Sequence, residues 1–327
     1  MLKPILLCLL ALLATQDPRD APDTVDLKAE TIALHPEVMT CFAVDAKGEV
    51  LYSADAKNSL RAWDIKKGEF LWETDAMAGL APIRELSVAG KLLITFLGEW
   101  TYQLWSLKDG SASEGATDAP MEGAASCMVA DPRGKWLWLG NSAGGALRLQ
   151  PGDQEGYSHY PDTNLGTFAL ALDSKAKQLA MGGGDGTVRF RNPSSTKADE
   201  ENVIKVHTSR VTALTFGGKG KVLAVGAEDG TLRLIELKKG AELIEFEGHK
   251  VQVSKLAIDP KGRWLVSGDI EGNLFMWNLE DGRQPATLGV RARGPVAGIH
   301  FIGKGDTLLT TSGNQSVQVW DLSKLEE

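Results

Sequence analysis

The sequence predicts an all-β fold, a closed ring of seven four-stranded antiparallel blades, and three observations carry that expectation. Seven short dipeptides recur along the 327 residues at an almost constant interval. Between them, turn residues fall at matching places. The first and last segments of the chain each supply part of one unit.

The dipeptides are Trp63-Asp64, Trp105-Ser106, Leu149-Gln150, Phe190-Arg191, Ile235-Glu236, Trp277-Asn278 and Trp320-Asp321, spaced by 42, 44, 41, 45, 42 and 43 residues. Such a period, with several short strands inside it, marks the blades of a β-propeller. Helical repeats of similar length would space apolar residues three and four apart, and no unit does so.

The stretch Gly248 to Asn278 shows the unit most clearly. Two apolar segments, Val251 to Ile258 and Trp264 to Ser267, are followed by a Glu271-Gly272 turn and a third strand ending on Trp277-Asn278. In this unit and in others the first strand ends in an Asp/Gly/Lys turn, among them those at Asp45, Asp131, Asp173 and Asp259. Residues of these types close tight antiparallel connections. The turns Asp185-Gly186 and Asp229-Gly230 place glycine where a hairpin needs positive φ.

These residues resemble the WD-repeat family over roughly Val25 to Leu322. The resemblance implies four strands per blade and, behind the Trp, a hydrogen-bonded His, Ser and Asp. The sixth unit matches best, with His249, Ser267 and Trp277 in place and Glu271 at the Asp position. The fifth keeps His207 and Asp229, the first keeps His35 and Trp63 with Lys57 at the Asp position, and the fourth keeps Asp185. Trp320 closes the seventh. The segment Lys28 to Leu34 reads like Gly240 to Phe246, an outermost strand, while the chain stops shortly after Trp320-Asp321. The N-terminal strand is therefore expected to complete the last blade and close the ring, which removes two exposed edges.

Residues 1–16 differ from the rest: Lys3 precedes an apolar run from Ile5 to Ala14, too short to span a bilayer. They read as a signal peptide, with 17–24 a flexible leader and 25–327 the propeller. That predicts a secreted or periplasmic protein, with a cytoplasmic scaffold as the alternative. The formal net charge of −8 argues against general nucleic-acid affinity, and no transmembrane segment is expected.

The histidines fall one to a blade and do not converge, so no metal is expected. Cys41 and Cys127 align with each other and with Lys255, in the innermost strands of nonadjacent blades, too far apart for a disulfide. The run Gly182 to Gly186 joins two strands and opens no helix, which argues against a phosphate loop. No catalytic residue and no cofactor is expected.

In related proteins the residues that open the innermost strands point to the central channel on one face. Here they are Thr40, Arg84, Ser126, Phe168, Thr212, Ser254 and Ala297, with Arg210 and Gln252 two positions earlier in their own blades. Arg84, Phe168, Arg210 and Gln252 are the candidate contacts. On the opposite face the turns carry Lys47, Lys135, Lys177, Lys221 and Arg263 among other cations, a candidate surface for an anionic polymer. The sequence thus points to a monomeric, non-catalytic platform for a protein or polymer partner. The competing expectation is an enzyme or small-molecule site in the channel, for which Thr40, Ser126, Ala297 and Gly166 are poor material.

Overall fold

The computed structural model describes residues 27, 29–75, 81–98, 101–113, 117–118, 124–160, 165–195, 202–237, 242–279, 286–288, 294–313 and 315–325. The signal peptide and leader expected over 1–24 lie outside them.

Alternating apolar strands can bury one face only by stacking on another sheet. The chain solves this with seven four-stranded antiparallel sheets. Blade one is Met39–Val44, Val50–Asp55, Ser59–Asp64 and Glu69–Asp75, numbered from the innermost strand outward. Blades two to six repeat that order, opening on Glu85–Ala89, Ala125–Ala130, Thr167–Leu172, Val211–Gly217 and Val253–Ile258. Each of the seven recurring dipeptides forms the last two residues of a third strand, as in Leu274–Asn278 and Ser316–Asp321.

Blade seven holds Val296–Ile302, Thr307–Ser312 and Ser316–Asp321, and its outermost strand is Ala29–Leu34 from the other end of the chain. The pairing runs from Ala29 against Trp320 to Leu34 against Ser316. The expected closure is thus observed. Apolar clusters fill each seam between consecutive blades. At the closing seam Leu309 and Val317 pack on Met39, Val44 and Leu51, so the first and last blades share a core like any other pair.

Turn chemistry explains the Asp residues at the ends of the first strands. Asp259 takes the backbone N–H groups of Arg263 and Trp264 at 2.5 and 2.8 Å, and Asp173 takes those of Lys177 and Gln178 at 2.5 and 2.7 Å. A side-chain acceptor satisfies donors that a tight turn leaves unpaired.

Behind the closing Trp of blade six lies a buried relay. The Trp277 indole N–H donates to Ser267 Oγ at 3.0 Å. Ser267 is 2.8 Å from His249 Nε2, and His249 Nδ1 donates to Asp269 at 2.9 Å. The carboxylate partner is therefore Asp269, which corrects the placement of Glu271; Glu271 only donates its backbone N–H to Asp269. Blade one repeats the correction, because His35 bonds Ser53 and Asp55 while Lys57 pairs with Glu37 on the surface. Trp63 there makes no indole bond, although its Nε1 is buried. Blades two and seven keep the indole bond with threonine, Trp105 to Thr95 at 3.0 Å and Trp320 to Thr310 at 2.9 Å. In blade five His207 is 2.7 Å from the Thr231 hydroxyl, which Asp229 holds at 2.6 Å. Asp185 is used differently, bonding Thr187 and Arg189.

Burial holds the imidazoles of His35, His207 and His249 below their ordinary value. The unfolded chain therefore takes up protons near pH 6.5 that the folded chain refuses until lower pH. This stability is fully present above about pH 6.5 and is lost as pH falls toward the folded values. The thermal midpoint is expected to be flat above neutrality and to decline on acidification; a midpoint that rose between pH 7 and 5.5 would contradict the assignment.

Cys41 and Cys127 are free and buried. Burial pushes the Cys41 thiol up to about 12 and that of Cys127 up as well. Both are expected to resist a thiol-specific chromogenic reagent in the native protein and to react in denaturant. Rapid reaction without denaturant would show that these positions are open.

Candidate functional site

The residue that opens each innermost strand decides what one mouth of the channel presents. In four blades it is Thr or Ser, and its hydroxyl is used internally. Ser254 lies 3.2 Å from the Gly268 carbonyl and 3.0 Å from that of Val296 in the next blade. Thr212 bonds Gly226 and Val253 in the same way, at 3.3 and 2.6 Å. Ser126 reaches Gly140 and Thr167, and Thr40 reaches Ala54. These hydroxyls stitch strands and blades together and are not spare binding groups.

Three blades depart from that pattern, with Arg84, Phe168 and Ala297. Arg84 is exposed. Phe168 is partly buried, and the Arg210 guanidinium of the next blade lies 4.3 Å from its ring centre. The pairing joins two candidates that stand 42 residues apart in sequence. A cation over an aromatic face contributes about 0.5–1 kcal/mol at an exposed site. Arg210 also faces Glu228 at 3.8 Å, with side chains 44% and 48% exposed.

Backbone geometry makes room for this pair. Gly166 has φ +84°, and a Cβ there would meet the Ser142 carbonyl at 2.4 Å and the Phe168 ring at 2.6 Å. The preceding Leu165 has φ 26° and is 72% exposed, a large apolar side chain held out to solvent three residues before Phe168. Neither Leu165 nor Glu228 is among the contacts expected from the sequence. Val38 and Ile270 are further exposed apolar residues. They sit at the same level, because Ala56 donates to the Val38 carbonyl and Ile270 to that of Gln252, as Glu228 does to Arg210. Gln252 is thus on this face, half-buried, one blade on from Arg210.

The opposite face carries the cationic turns, several of them neutralised. Lys47 lies 3.7 Å from Glu49. Arg263 pairs with Asp259 and Asp306 at 3.3 and 3.6 Å. The Lys135 ammonium sits 5.4 Å from the Trp136 ring centre. Lys177 and Lys221 are on the corresponding turns of blades four and five.

A cavity of about 290 Å³ occupies the channel. Contrary to the sequence expectation, it is lined by charged residues, Glu85 and Lys255, besides the small ones. Glu85 Oε2 accepts the Met128 backbone N–H at 2.9 Å, and burial raises its carboxyl above the usual range. Among the described residues, no group of three or more His, Cys, Asp or Glu could hold a metal ion, and no helix is long and apolar enough to cross a membrane.

Two family models match parts of the chain: the anaphase-promoting complex subunit 4 WD40 domain over residues 199–257, and the WD domain, G-beta repeat, over 240–278. WD repeat-containing protein 1 of Gallus gallus is 23% identical over 306 residues, covering 91% of this chain and 49% of its own length. Actin-interacting protein 1 of Caenorhabditis elegans is 21% identical over 300 residues, 88% of this chain and 47% of its own. Transcription initiation factor TFIID subunit 5 of Caenorhabditis elegans is 31% identical over 94 residues, 29% of this chain and 14% of its own. The chain spans about half the length of these relatives, or less. Together with seven closed blades and the Trp–Ser–His–Asp relay, these matches support a WD-repeat β-propeller family for the chain.

Proposed function

We propose that the chain is a non-catalytic interaction platform whose protein partner docks on the face carrying Leu165, Phe168 and Arg210. The observation that carries this reading is the replacement of a stitching hydroxyl by Phe168, packed under Arg210, with the exposed Leu165 three residues earlier in the chain. Aromatic and arginine side chains held in place before binding are the usual anchors of interfaces. Relatives named as an actin-interacting protein and as a subunit of a transcription initiation factor support a role in protein assembly. Affinity capture with the full chain tests it. A partner retained by the native protein and by a Lys177→Ala, Lys221→Ala variant, but lost from Phe168→Ala and Arg210→Ala, supports the reading. A partner retained by all of them overturns it.

The lysines on the turns of blades four and five favour a second reading, an anionic polymer on the opposite face. It requires heparin binding that weakens as salt is added. For location, we propose export, carried by the apolar run from Ile5 to Ala14. N-terminal sequencing of the protein from its source tests this, and a chain that still begins at Met1 would refute it.

A further inference from the structure

At the waist of the channel, one register position repeats in every innermost strand. It is occupied by Cys41, Glu85, Cys127, Ala169, Ala213, Lys255 and Gly298, paired across to the second strand at matching places. All seven positions line the cavity, and five of them are small. The other two are long and oppositely charged.

Glu85 belongs to blade two and Lys255 to blade six. In a ring of seven, no two blades stand further apart around the circle. Both residues line the same cavity of about 290 Å³. Glu85 is held in place through Oε2 by the Met128 N–H, and its second oxygen has no hydrogen bond among the described residues. Lys255 makes no ion pair among them either. Each charge gives up part of its hydration to the channel wall, and the two act on each other only across the cavity, with no contact ion pair to replace the lost water.

We propose that the channel waist is a binding site for a small zwitterion, an amino acid in the simplest case, whose ammonium meets Glu85 and whose carboxylate meets Lys255. A simple anion would satisfy Lys255 and leave Glu85 uncompensated, and a simple amine would do the reverse. One molecule carrying both groups serves both walls. The cavity lies at the lower end of the volume range of small-molecule sites, which suits a ligand of this size. Thr212, Ser254 and Ser126 use their hydroxyls in the blade seams, so recognition falls to the two charges.

The test is titration calorimetry on the full chain with glycine, β-alanine, γ-aminobutyrate and ε-aminocaproate. Butyrate and butylamine serve as single-charge controls. One length is expected to bind best, with both controls weaker by at least about tenfold, as expected for loss of a charged hydrogen bond. Glu85→Gln keeps an acceptor for the Met128 N–H, and together with Lys255→Met it is expected to abolish the preference for the zwitterion. The comparison of ligands on the unaltered protein is decisive even where a variant fails to fold. No heat from any of the four at millimolar concentration overturns the proposal, as does butyrate binding as tightly as γ-aminobutyrate.

Discussion

Replacing Asp269 by alanine is expected to destabilise the protein by about 3 kcal/mol. The carboxylate is fully buried and takes four donors: His249 Nδ1 at 2.9 Å, the backbone N–H groups of Glu271 and Asn273 at 3.0 and 2.9 Å, and the Asn273 amide at 2.8 Å. Burial alone would raise its carboxyl, but the bonds from Asn273 and His249 outweigh that and hold it low. Its removal strands an imidazole N–H and two turn amides where water does not reach. Glu271→Ala, two residues on, removes a side chain with no part in the relay and is expected to change stability by less than about 0.5 kcal/mol. Urea denaturation of the two variants makes the comparison. Equal losses would mean that the relay is not what holds the blade.

Arg210→Ala and Phe168→Ala are expected to weaken partner binding by about 2 kcal/mol each, roughly thirtyfold. The two effects should not add. Phe168 supports the guanidinium from below at 4.3 Å, so once it is gone Arg210 loses its fixed orientation. A double-mutant cycle is expected to return a coupling of about 0.5–1 kcal/mol. Arg210 is on the surface, and its loss should leave the thermal midpoint nearly unchanged. A cycle with no coupling would mean that the two residues contact the partner independently, or not at all.

The architecture was legible because strand endings repeat at a period that backbone geometry enforces. Each dipeptide from Trp63-Asp64 to Trp320-Asp321 ends a third strand, and Ala29–Leu34 closes the ring where its likeness to the strand ending at Phe246 implied. The relay was read less well, for a definable reason. Asp185 and Asp229 occupy one column of the repeat, and Glu271 shares it. The acids that bond histidine in blades one and six, Asp55 and Asp269, end their second strands two residues earlier. Blades four and five have Gly183 and Ala227 at that earlier place. In blade five the later Asp229 reaches the histidine only through Thr231. These are two columns of the repeat, not one.

The candidate surface was half visible. Arg84, Phe168 and Arg210 stood out by size against Thr and Ser neighbours, but that the last two touch depends on the angle between blades, which no spacing encodes. Glu85 was less visible because the positions expected to face the channel are the strand-opening residues and those two earlier, and Glu85 is neither. Aligning it with Cys41, Cys127 and Lys255, whose column was already known, would have placed it at the waist.

Hydrogen exchange on the captured complex tests most directly whether one face of the ring is the docking surface. Slowed exchange at Leu165 to Phe168, around Arg210 and at the Glu228 turn, with the turns at Lys177 and Lys221 unchanged, is the predicted footprint. Protection confined to those lysine turns or to the outer strands, with the Phe168 region exchanging as in the free protein, would contradict it.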